Sequence, residues 1–260
     1  MPPAEIFLLK LVITPVLVGA ASLASRRWGS EVGGWLVGIP FTSGPVALFL
    51  ALNPGPRFAA TAAVGIMAGT ASQAGFCLAY AWVAQRRGWP ASLVAATAVF
   101  VVVTVLLDFF VPAPLPTFVA MVAVLVVSLA LMPGRPAAAS PQIRFPHWDI
   151  PARMLVATSF VVILTGAAPL LVPRLAGLIA PFPLYAAVLA TFAHRIQGAS
   201  PAVGVLRGLL LGLFGFAGFF LALAELLAGH GIALAFIVAI TVALVIQGAS
   251  LTAGRRLGIA

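Results

Sequence analysis

Apolar residues in this chain do not follow the period of a surface helix or strand. They continue in long runs and stop at charges, prolines and glycines. A bilayer core about 30 Å thick takes roughly 20 apolar residues per helix. On that measure the pattern predicts about nine spans, at roughly 5–25, 33–52, 57–84, 90–109, 115–133, 152–172, 175–194, 201–228 and 231–250. The first run lacks a basic leader and a small-residue cleavage site, so it reads as a retained helix and not a signal peptide. The expected fold class is therefore all-α, a polytopic integral membrane protein forming a single transmembrane domain over residues 1–260.

The chain also resembles itself. At an offset of 143 residues Gly65 pairs with Gly208, Gly69 with Gly212, Ala74 with Ala217, Gly75 with Gly218 and Phe76 with Phe219. Leu78 with Leu221, Ala79 with Ala222, Ala81 with Ala224 and Gly88 with Gly231 continue the series, and Pro40 meets Pro183. Such density of identity at a fixed offset reads as an internal repeat. Because the offset carries spans 1–4 onto spans 6–9, a displacement of five spans, each helix in one half should run opposite to its counterpart. The division expected is repeat 1 over 1–109, a connecting span and cytoplasmic linker over 110–150, and repeat 2 over 151–260. Inverted repeats recur in secondary transporters, where two similar halves exchange shapes around a central site. They can also build a channel, a lipid scramblase or simply a stable bundle.

Spans 2 and 7 are expected to be discontinuous. Span 2 contains Pro40 and Pro45 around Thr42, Ser43 and Gly44, and span 7 contains Pro181 and Pro183 just before Tyr185. Each proline removes a backbone donor, and Thr-Ser-Gly before Pro45 has the form of a new helix start. Irregular backbone at membrane depth must find partners in protein, water or ligand, and a helix start offers amides to an anion. Pro40, Thr42, Ser43, Gly44, Pro45, Pro181, Pro183 and Tyr185 are thus candidate substrate-binding residues. The plainer alternative is a pair of proline kinks satisfied by neighbouring hydroxyls. Gln73, near the middle of span 3, and Arg207, inside span 8, join the candidates. Their alternatives are interhelical hydrogen bonding and snorkelling.

Composition narrows the function classes. Only 7% of residues are charged and 63% are hydrophobic, against about 25% charged in an average soluble domain. A soluble globule, a disordered chain and a nucleic-acid-binding protein are excluded on that ground. The single cysteine, Cys77, allows no disulfide framework and no thiolate metal site, and no cofactor is expected. Enzyme signatures are missing: no HExxH or GxSxG is present, and His147, His194 and His230 are scattered. A Ser43 nucleophile with a His194 base is less plausible than Ser43 as a cap, so the chain is not expected to be an enzyme.

Net charge is +9, and its distribution sets an expected orientation. Arg26, Arg27, Arg86, Arg87, Arg135, Arg144, Arg153, Arg195, Arg207, Arg255 and Arg256 fall on one side of the nine spans, Lys10, Arg57 and Arg174 on the other. Cytoplasmic loops retain positive charge, so the N-terminus is expected outside and the C-terminus in the cytoplasm, in a plasma or inner membrane. None of the five acids lies at mid-membrane, whereas the bases Lys10 and Arg207 point inward, so the solute is expected to be a small anion. Lys10 can instead anchor at the interface or pair with Asp108. The alternative function is a flippase or scramblase for an anionic lipid or polyprenyl phosphate. Expected partners are a small-molecule or lipid substrate and membrane lipids, with no nucleic acid. A homodimer through the faces carrying Gly65, Gly69, Gly208 and Gly212 is a further option beside close packing within one chain.

Overall fold

A computed structural model describes residues 3–41, 43–53, 55–107, 109, 113–134, 146–167 and 182–256. Every regular element among them is a helix: α1 (Pro3–Trp28), α2 (Ser30–Val37), α3 (Ser43–Leu52), α4 (Pro56–Ala84), α5 (Trp89–Leu107), α6 (Pro114–Leu131), α7 (Asp149–Ala167), α8 (Leu184–Gln197), α9 (Ala199–His230) and α10 (Ile232–Arg256). Five of these, α4, α5, α6, α9 and α10, are long and apolar enough to cross a membrane. The molecule is thus an all-helical protein of the kind that membranes hold, with Val94, Val119 and Val245 on α5, α6 and α10 more than half exposed on its outer surface.

The break expected in the second apolar run is present. The amides of Gly38 and Ile39 close α2 on Trp35 and Leu36 through tight turns of 3.1 and 3.2 Å, and Gly44 opens α3 by donating to the Pro40 carbonyl at 2.8 Å. Pro40 has no N–H to extend α2, and Pro45 occupies the first turn of α3, where its missing donor is not needed. In the seventh run, Pro183 caps α8. Residue 181 and the segment before it lie outside the described residues.

The centre of the bundle is α4 against α9. Leu206, Leu209, Leu210, Leu213, Phe220, Leu223 and Leu227 of α9 are all almost completely buried, because a helix apolar on every face is stable only when surrounded. Residues 55–58 at the start of α4 and 227–231 at the end of α9 line one recess, so these two helices run antiparallel. So do α1 and α7, where Gly19 lies against Met154 and Arg26 reaches Asp149. By contrast α2 and α3 run parallel to α9. Gly34 lies at Val205, Gly38 at Gly212 and Gly44 at the Phe219 ring.

Glycine makes the α2–α9 approach possible. A Cβ on Gly34 would fall on the Val205 carbonyl oxygen, one on Gly208 on the Glu31 carbonyl, and one on Gly38 would sit 2.6 Å from the Gly212 Cα. The seam is locked by a reciprocal pair from α10. The Gln247 side chain donates to the Trp35 carbonyl at 2.9 Å, and the Trp35 indole donates to the Gln247 carbonyl at 3.1 Å. Gly208 and Gly212 therefore serve packing within the chain, whereas nothing among the described residues lies within 4 Å of a Cβ built on Gly65.

Candidate functional site

The residues predicted at the helix breaks sit in two groups. At the first break Pro40, Ser43 and Pro45 are half-buried, and Gly44 is buried under Phe219, whose ring a Cβ would meet at 3.5 Å. At the second, Pro183 and Tyr185 open α8, and the Tyr185 hydroxyl is 3.2 Å from that of Thr14 on α1. Phe182, beside Pro183, packs edge-on against Phe76 of α4 at 5.6 Å and against Phe100 of α5 at 5.3 Å. Thr42, Pro181 and Asp108 fall outside the described residues, as does the side chain of Lys10.

Gln73 lies on α4 one turn before Phe76, the residue whose ring packs at the second break. It is buried, with 6% of its surface exposed, and its amide makes no hydrogen bond among the described residues. One turn earlier the Thr70 hydroxyl is fully buried without a partner. A buried amide beside a buried hydroxyl without a partner gives α4 a polar stretch at mid-helix. Further along α4 the Tyr80 hydroxyl meets Nδ1 of His194, on α8, at 3.3 Å.

Arg207 does not join either break. It is buried near the start of α9 and donates to the Pro133 carbonyl, just past the end of α6, at 2.9 Å. Phe219, which covers Gly44, is twelve residues further along α9, a rise of roughly 18 Å.

A second polar region, which sequence reasoning did not single out, lies at the arginine-rich end. Here the end of α1, the starts of α2, α7 and α9 and the end of α8 line a partly open cavity of about 280 Å³. Asp149, with no exposed surface, accepts a hydrogen bond of 2.8 Å from Arg26 and another of 2.8 Å from Arg153 Nε. Arg153 also stands over the Phe192 ring at 5.4 Å, which holds its guanidinium in place. The spacing of Asp149 and Arg153 by four residues at a helix start was the available signal. Two hydroxyls in the cavity wall, Ser22 and Ser25, are buried without a hydrogen-bond partner. Among the described residues no cluster of three or more His, Cys, Asp or Glu side chains is placed to hold a metal.

No family model matches the chain, and neither a curated protein nor a solved structure shows significant similarity to it.

Proposed function

We propose that the chain is an inner-membrane carrier of about nine spans, built from inverted repeats over spans 1–4 and 6–9, that moves a small anionic solute by alternating access. The observation that carries this reading is how counterpart helices meet. At the 143-residue offset α4 corresponds to α9, and these two form the antiparallel centre. Likewise α1 corresponds to α7, and they too pack antiparallel. Antiparallel contact between equivalent helices is what a two-fold axis in the membrane plane produces.

Finer correspondences support it. Helix starts at Pro56 and Ala199, and at Trp89 and Ile232, are separated by the same offset. A Cβ on Gly75 would meet Val99 and Val103, and one on Gly218 would meet the equivalent Val242 and Ile246. Phe76 packs at the break before α8 while its counterpart Phe219 packs at the break before α3. α6, the connecting span, touches both α4 and α9.

The orientation proposed, N-terminus outside and C-terminus in the cytoplasm, is supported by charge. Arg26, Arg27, Arg86, Arg87, Arg153, Arg195, Arg207, Arg255 and Arg256 belong to helix ends that gather at one face of the bundle, and Arg57 to the opposite face. The test is uptake by proteoliposomes. Saturable, competable uptake of radiolabelled small organic anions, with no translocation of fluorescent phosphatidylglycerol, is the expected result. Lipid translocation without saturable solute uptake would replace the carrier by a scramblase, and absence of both would leave a structural bundle.

A further inference from the structure

We propose that the cavity at the arginine-rich end is a binding site for a small oxyanion, a carboxylate or phosphate group. It is separate from the helix breaks, and the assignment stands whether or not the chain is a carrier. The first observation is unsatisfied polarity. Ser22 and Ser25 carry buried hydroxyls with no partner, and both line this space. Ser22 is 1% exposed, so bulk water does not meet its need. Positions 22, 25 and 26 share one face of α1, so the two hydroxyls are presented together with the Arg26 guanidinium.

The second observation is positive charge that is fixed in position. Arg153 is 4% exposed, lines the cavity and engages Asp149 through Nε, so its terminal N–H groups are not consumed by that carboxylate. A guanidinium pinned at one nitrogen presents the remaining fork without the entropy loss of ordering a long side chain. The third is backbone. α2 begins at this cavity, which Gly29 and Ser30 line, and so does α9, where Pro201 lines it. The positive dipole end of α2 therefore faces the space, while the C-terminal ends of α1 and α8 oppose it in part. About 280 Å³ is room for roughly nine water molecules, enough for a phosphate or a short dicarboxylate with part of its hydration.

Glu31 is the acid in the cavity wall, on the first turn of α2, where it accepts from the Ser30 hydroxyl at 3.3 Å. It opposes an anion and would favour a cation, and this makes the sign of the ligand testable. Purified full-length chain in neutral detergent is titrated with inorganic phosphate and with succinate while its thermal unfolding is followed. A parallel titration uses phosphatidic acid in phosphatidylcholine nanodiscs. Saturable stabilisation by either free anion is expected, and stabilisation by phosphatidic acid alone would identify the same oxyanion site as a lipid-headgroup site.

The double variant Ser22→Ala/Ser25→Ala should be at least as stable as the parent without ligand, because the hydroxyls it removes have no partners in the fold. Its apparent Kd should rise about tenfold or more. Glu31→Gln should tighten anion binding several-fold by removing a like charge. The proposal is overturned if no anion from either source stabilises the parent, if the double variant responds as the parent does, or if Glu31→Gln weakens binding.

Discussion

Asp149 receives a hydrogen bond on each carboxylate oxygen, from Arg26 and from Arg153, and has no exposed surface. Removing its charge leaves Arg153, itself 4% exposed, without the group that compensates it. Breaking a buried pair from one side costs about 3–5 kcal/mol, whereas losing a partly exposed partner costs about 1 kcal/mol or less. Asp149→Asn should therefore lower the thermal midpoint in detergent far more than Arg26→Gln, since the Arg26 side chain keeps 28% of its surface exposed. Equal losses would mean that Arg26 carries as much of the cluster as Arg153 does. The sequence made Arg26 legible only as positive charge beside a membrane, because the carboxylate that binds it is 123 residues away, whereas Arg153 stands four residues from the same acid. Arg207 was legible as an interior base. Its partner, the Pro133 carbonyl, is a backbone atom with no residue-type signature.

Between elements, the decisive contact is the glycine seam of α2 and α9. Gly34 and Gly38 at one helix meet Val205 and Gly212 on the other, and Gly208 meets Glu31, backbone against backbone. Gly208→Val should force these helices apart, because the atom it meets is the Glu31 carbonyl, which cannot rotate away as a side-chain tip can. Loss of monodisperse protein in size-exclusion chromatography is the expected readout. Gly65→Ala, with no described atom within 4 Å of the new Cβ, should behave as the parent does. A Gly208→Val variant that purifies normally would show that the seam does not hold the bundle. The discontinuity at Pro40 and Pro45 was readable because a missing N–H is a property of the residue itself. The partner of the α9 glycines was not readable. Residue spacing reveals that a face is flat, not what will lie on it.

At the scale of the molecule, alternation of direction is the strongest commitment. With Cys77 changed to Ala, a cysteine at Gly88, in the exposed turn after α4, should react with an impermeant thiol reagent only from the cytoplasmic side. One at Asn53, exposed at the end of α3, should react only from outside. Labelling of both from one side would contradict the topology. The all-helical, membrane-type class could be read in advance, since long apolar runs are a property of the chain alone. The cavity at the arginine-rich end could not, because five separate helix ends line it.

The bond between Arg26 and Asp149 also has a mechanical meaning. It fastens the last turn of α1 to the first turn of α7 with a carboxylate shielded from water on every side, and the neighbouring Arg153 stiffens the joint. Because Arg26 is partly exposed, the link across the two helices is worth about 1 kcal/mol or less, so it sets their register without locking them together. That register continues along the pair, where Gly19 of α1 lies against Met154 of α7.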